Sequence, residues 1–322
     1  MQRKNIKFLA TVLTFTFALS LQQSAYSQDC GDSCRVSRVI ASPDSYKVNV
    51  ERWWQNTSRY YLPGTTWIGP LAGNGLVDKK HRNGKRDTFI FVPHSIDFSK
   101  EVVLIVWCHG LSGFKLHKPR LAASIRELIS QQRNFILVAP EMPWSTNTST
   151  PRKRQGYVWN GRGEENFAVF YNSVMRKIVG TFHPNPAVRQ MCKNKQRCES
   201  PSAFKSVIIG HSAGGSAIRM AAKTGALEMM RPNLIVYSDA SYGRWADTTW
   251  KYYVKKNPAC RYILLVRKWD TPYRNAQRLL KSVRSRRDKH RIELKVFPRG
   301  WTHKKIGDSS IFMDIVWGAL GR

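Results

Sequence analysis

The chain has 322 residues, with 53 Lys and Arg against 21 Asp and Glu and a formal charge of +32. That length suits one large core with extensions, or one core and a small second domain. A field of this sign attracts polyanions, but the basic runs at 79–82, 85–86, 152–154 and 284–291 are scattered over loops and helix surfaces; without a recognition helix, zinc finger or aromatic RNA platform they read as a solvated basic surface and argue against specific nucleic-acid recognition.

Arg3, Lys4 and Lys7 precede an apolar run from Phe8 to Leu21, and Ala25-Tyr26-Ser27 is a small-x-small site. The pattern predicts a signal peptide over residues 1–27, cleaved after Ser27, and so a secreted or periplasmic protein. The run is short for a membrane span and no later stretch approaches the length needed, so no integral membrane segment is expected after cleavage. Loss of the three leader cations takes +32 to +29. Six cysteines remain: Cys30, Cys34, Cys108, Cys192, Cys198 and Cys260. An exported chain permits disulfides. Cys192 and Cys198 can close a small ring in a polar loop, whereas Cys108 lies in an apolar strand and reads as a buried thiol. No Cys-x-x-Cys or paired-His spacing points to a metal.

Residues 28–86 form an aromatic-rich extension, with Trp53, Trp54, Tyr60, Tyr61 and Trp67. Irregular structure with one or two edge strands is expected there. From residue 87 to 322 the pattern alternates. Strands are predicted at 88–92, 102–108, 135–139, 207–209, 234–238, 262–266 and 292–297, the second central because it is continuously apolar. Helices are predicted at 119–132, from Glu164 or Glu165 to about Val179, at 216–223, at 272–283 and after Asp308. Residues 182–204 read as a surface loop. Residues 141–163 read as an irregular insertion near the site, carrying Trp144, Arg152, Lys153, Arg154 and Trp159; a loop of that length in a compact domain is usually functional. Alternation of this kind means an α/β fold: a mainly parallel sheet with helices on both faces.

The stretch that carries chemistry is 206–215. Val207, Ile208 and Ile209 form a buried strand, Gly210-His211-Ser212-Ala213-Gly214 is a G-x-S-x-G turn, and a helix rich in small residues follows. A serine on such a bend is pushed clear of the sheet, and the glycines let neighbouring chain approach. The N–H of Ala213 then points where an oxyanion would form, at a helix N-terminus that favours negative charge. A serine hydroxyl needs a base, and the base needs a carboxylate to hold its tautomer. His303, after the 292–297 strand, is the expected base. Asp270, before Thr271-Pro272 and a helix, is the expected acid. Asp239, after the preceding strand, is the alternative. The order Ser212, Asp270, His303 is that of the α/β-hydrolase fold.

On these pieces, together with the His109-Gly110 loop, the chain resembles the α/β-hydrolase superfamily from about Thr88 to the C-terminus. The strand leading to His109-Gly110 is most similar to the secreted polyester-depolymerase and feruloyl-esterase group. The resemblance implies a cofactor-free serine hydrolase, usually of esters, with Leu111 N–H as second oxyanion donor and His109 as a support for that loop. His211 is left to packing or substrate contact, with Trp144, Trp159, Arg152 and Arg154 as further contacts. The expectation is an exported esterase acting on a small-molecule or polymer substrate, and the cations near the site favour an anionic one. Amide or peptide cleavage, or polyanion binding without catalysis, are the alternatives.

Overall fold

The continuously apolar run Val102–Cys108 has no polar face to turn to water, so it is stable only with cover on both sides. In the computed structural model it is buried throughout and is the fifth of nine strands in one sheet. The structure describes residues 38–41, 62–74, 87–110, 118–142, 159, 166–194, 204–308 and 310–321, all within one compact unit, Ser37–Arg322.

The strands are β1 (Arg38–Ala41), β2 (Gly64–Pro70), β3 (Asp87–Pro93), β4 (Val102–Cys108), β5 (Phe135–Pro140), β6 (Phe204–His211), β7 (Leu234–Ser238), β8 (Arg261–Arg267) and β9 (Ile292–Phe297), in the spatial order β1-β2-β3-β5-β4-β6-β7-β8-β9. From β5 to β9 every neighbouring pair is parallel, while β3 runs antiparallel to both β2 and β5. The 28–86 segment thus contributes two strands at one edge, with β1 outermost.

The helices are α1 (Lys118–Ser130), α2 (Phe167–Phe182), α3 (Pro186–Asn194), α4 (Gly214–Lys223), α5 (Leu227–Met230), α6 (Trp245–Tyr252), α7 (Thr271–Ser282), α8 (Arg286–Lys289), α9 (His303–Asp308) and α10 (Ser310–Leu320), with a 3-10 turn at Val254–Lys256. Strand alternation divides the core in two. Leu104, Val106 and Cys108 point into one cluster with Phe170, Val174, Ala217, Ile218, Trp250 and Leu279 of α2, α4, α6 and α7. Val103, Ile105 and Trp107 point into the other, with Ile125 and Leu128 of α1 and Met313 and Val316 of α10.

Three expectations need correction. The helix expected from Glu164 or Glu165 starts at Phe167. Asn166 caps it, its side-chain oxygen accepting from Ala168 N (2.9 Å) and Val169 N (3.3 Å), a role for which asparagine is suited. The 182–204 loop contains α3, whose Pro186 occupies the first turn, where a missing N–H costs nothing. Finally, Asp308 ends α9 rather than opening the last helix.

Candidate functional site

Because the strands from β5 to β9 run parallel, their C-terminal ends share one edge, where an open α/β sheet binds its ligands. At the end of β6 the chain turns sharply into α4. Ser212 stands at the turn with φ 53, in the left-handed region that non-glycine residues rarely adopt. The turn is closed by Ser212 N–H donating to Ser238 O and Gly215 N–H donating to Ser212 O, each at 3.1 Å. There is no room beside it: a Cβ on Gly214 would lie 2.2 Å from Cys108 O, and one on Gly210 would lie 2.8 Å from Gly214 C. The glycines at both ends of the motif are therefore steric requirements of the bend. Ala213, at the cap of α4, makes no hydrogen bond through its side chain or its N–H among the described residues, leaving that N–H available at the helix start.

His303, the base expected from the sequence, lies at the first position of α9. Thr302 caps that helix: Lys305 N–H donates to Thr302 Oγ1 (3.0 Å) and Ile306 N–H to Thr302 O (3.2 Å). His303 Nδ1 lies 2.6 Å from Asp239 Oδ2. A carboxylate can only accept there, so Nδ1 carries the proton and Nε2 keeps a free lone pair. Asp239 directly follows β7, has φ 46 and is fully buried; its N–H is fixed to Leu265 O at 2.7 Å. The carboxylate in contact with His303 is thus Asp239, the alternative offered by the sequence, and not Asp270, the one expected. Asp270 heads α7 without capping it and is ion-paired to Arg267 Nη2. Arg267 Nε lies 3.3 Å from Asp239 Oδ2, the oxygen that holds His303. Asp270 therefore reaches the histidine only through an arginine and a second carboxylate.

His211 backs His303. The rings stack with centroids 4.7 Å apart and 27° between planes. His211 Nε2 lies 3.1 Å from His303 O, and since a carbonyl accepts, Nε2 donates. Gly307 fits against this ring, where a Cβ would come within 2.7 Å of His211 Cδ2. Of the two roles open for His211, the geometry is that of packing. Trp159 is fully buried, 4.7 Å from Phe167 and 5.3 Å from Phe170 between ring centroids. Trp144, Arg152, Arg154 and Leu111 lie outside the described residues.

His109 supports its loop. Met142 N–H donates to His109 Nε2 (2.9 Å), which places the ring proton on Nδ1, and Nδ1–H donates to Gly110 O (2.7 Å). Gly110 packs on Ser212, a Cβ there falling 3.0 Å from Ser212 Cβ. Sequence reasoning missed two neighbours. One is Arg267, whose i,i+3 spacing to Asp270 was the available signal. The other is Tyr242, which sets its ring edge-on to His303 at 6.5 Å between centroids. Burial, then the Asp239 charge, push the Tyr242 phenol up to about 12, so it stays protonated across the physiological range. Ser212 and His303 are not hydrogen-bonded to each other here; such contacts commonly tighten only when substrate is bound. Among the described residues no group of three His, Cys, Asp or Glu is placed to hold a metal ion, and no helix is long and apolar enough to cross a membrane.

The strand order, the elbow after β6 and the His303 helix after β9 are the arrangement of the α/β-hydrolase fold. No family profile matches the chain, and no curated protein matches it by sequence. Solved structures similar to it include a ferulic acid esterase (12% identity, 80% of this chain and 98% of that one, TM-score 0.49). A fluorophosphonate-binding serine hydrolase of Staphylococcus aureus is also similar (13%, 80% and 99%, 0.48), as is a lidless α/β serine hydrolase of Xanthomonas campestris (15%, 79% and 94%, 0.44).

Proposed function

We propose that the protein is an exported serine hydrolase that cleaves a carboxylic ester through an acyl-enzyme, with Ser212 as nucleophile, His303 as base and Asp239 as orienting acid. The observation that carries this reading is the 2.6 Å contact between His303 Nδ1 and Asp239 Oδ2, on the sheet edge where Ser212 is held at φ 53. In the first step His303 Nε2 takes the Ser212 proton as Oγ attacks the carbonyl carbon. The oxyanion is received by Ala213 N–H and by Leu111 N–H. Asp239, paired with Arg267, stabilises the imidazolium that forms. The intermediate collapses, and His303 returns the proton to the departing alcohol. Water, deprotonated by the same histidine, attacks the acyl-serine and releases the acid.

Export rests on the leader pattern at residues 1–27. An anionic substrate is supported by Lys268 and Arg299 in loops and Lys304 and Lys305 in α9, all exposed after the C-terminal ends of β8 and β9, because cations beside a cleft raise the local concentration of anionic ligands. The test is turnover of a matched panel: a neutral aryl ester, its carboxylated analogue and the corresponding amide. The ester is hydrolysed, its carboxylated analogue faster at low salt, and Ser212→Ala abolishes both. Cleavage of the amide in preference to the ester would move the protein to the amidases, and undiminished turnover by folded Ser212→Ala would remove the mechanism.

A further inference from the structure

The edge of the sheet opposite the catalytic one has a chemistry of its own. Two short turns lie there, each just before a strand: the 3-10 turn Val254–Lys256 before β8, and α8 before β9. They are held against each other by one residue. Arg291 donates from Nη2 to Asn257 O (3.1 Å) and to Val254 O. Its guanidinium lies 5.4 Å from the Trp250 ring centroid, and Tyr262 N–H donates to Arg291 O at 2.9 Å. The joined turns present Lys255, Lys256, Arg284, Arg286, Arg287 and Lys289, all exposed, and none of these six forms an ion pair among the described residues. The nearby carboxylates are occupied. Asp288 pairs with Arg291 at 3.3 Å, Glu228 accepts from Asn257 Nδ2 at 3.1 Å, and Glu293 holds Arg261 and Lys295. Arg231, exposed before β7, adds to the same edge.

These six cations on two clamped turns repel one another, and no carboxylate among the described residues pairs with them. We infer that this edge is a docking surface for a linear, densely charged anionic polymer, a chain bearing phosphate or sulfate groups and no bases. A polymer rather than a single anion fits because every one of these cations is exposed, so affinity comes from many shallow contacts and release of counterions. A base-free chain fits because the two turns carry no Trp, Tyr or Phe on which bases would stack. The surface is separate from catalysis. It lies at the start of β8, seven residues long, whose other end reaches Asp239 through Arg267. At about 3.3 Å per residue that is roughly 20 Å, more than twice the Debye length of about 8 Å at physiological ionic strength. A protein docked this way holds its catalytic edge away from the polymer.

The test measures binding of dextran sulfate and of long-chain inorganic polyphosphate across a salt series. Two variants of equal charge change are compared: Arg284, Arg286, Arg287 and Lys289 all to Gln, and Lys268, Arg299, Lys304 and Lys305 all to Gln. Each lost contact removes about 0.7–0.9 from the slope of log K against log salt, so the first variant loses about 3 from that slope. The second loses less than 1, and the first keeps its melting temperature and its turnover of a neutral ester. Equal losses in both variants would reduce the surface to the general field of a +32 chain and overturn the assignment. Tighter binding of a single-stranded oligonucleotide, or of phosphatidylglycerol vesicles, than of dextran sulfate at equal charge overturns it in favour of those partners. The binding and melting outcomes do not depend on Ser212 being a nucleophile.

Discussion

Arg267→Met isolates the electrostatic support of the acid. Asp239 is fully buried, and among the described residues the only side chains touching its carboxylate are His303 at 2.6 Å and Arg267 at 3.3 Å. Among the described residues Arg267 is the only permanent cation beside that carboxylate. At 3.3 Å and an effective dielectric of about 20 the attraction is about 5 kcal/mol. Arg267 keeps 29% of its side-chain exposure, so water screens part of this. The range for breaking a buried ion pair is about 3–5 kcal/mol, and the lower end applies here. The variant should lose about 3 kcal/mol of stability, a fall of roughly 5–10 °C in Tm. Calorimetry on the folded variant checks it, and an unchanged Tm would refute the reasoning.

The remaining predictions concern the acid, the bend and alkaline stability. Asp239→Asn should lower kcat by about 10⁴ by disturbing the histidine tautomer, whereas Asp270→Asn, which acts through Arg267, should cost far less and nothing further in an Arg267→Met background; steady-state kinetics of the four proteins decide it, and the reverse ranking returns the acid to Asp270. Gly214→Ala should fail to fold or lose activity, because its Cβ would meet Cys108 O at 2.2 Å; a soluble, fully active Gly214→Ala enzyme contradicts the steric account of the elbow. Burial pushes the phenols of Tyr237, Tyr262 and Tyr253 upward and that of Tyr242 to about 12, against 10.0 for a free tyrosine. Between pH 10 and about 12 the unfolded chain binds fewer protons than the folded one, so stability is complete below pH 10 and falls as pH rises through that window; urea melts at pH 8, 10 and 11.5 measure it, and a constant midpoint speaks against buried neutral tyrosines.

What the sequence discloses follows from how local each signal is. The strands at 102–108, 234–238 and 292–297 have the expected ends, because an apolar β-branched run between breakers is a local property. The elbow is equally local, since Gly210, Ser212 and Gly214 serve a single bend. The choice of acid is not. Asp239 and Asp270 follow adjacent strands, and the deciding fact is a side-chain contact to a residue 64 positions from Asp239. Proximity to the strand end separated them: Asp239 is the first residue after β7, whereas Asp270 is the third after β8 and carries an arginine at i−3. The α3 helix was obscured because Pro186 reads as a breaker until Asn185 Oδ1 is seen accepting from Ala187 N at 2.9 Å. Trp159 stands in an irregular stretch whose composition suggested a site mouth, yet its ring completes an aromatic cluster with Phe167, Phe170 and Tyr171. Cys108, read as a buried thiol, is free and buried. Cys192 is buried, and its suggested partner Cys198 lies outside the described residues.

The central claim is that Ser212 is the nucleophile, activated by His303. Intact-mass analysis after treatment with a fluorophosphonate tests it most directly, because the reagent phosphonylates only a serine whose proton a neighbouring base removes. The wild-type protein should gain one adduct, mapped by peptide sequencing to Ser212. Ser212→Ala should gain none, and His303→Ala should label at least 100-fold more slowly, a conservative floor against the 10⁴ that a triad member contributes. An adduct on folded Ser212→Ala, or a wild-type protein that takes none, would contradict the account.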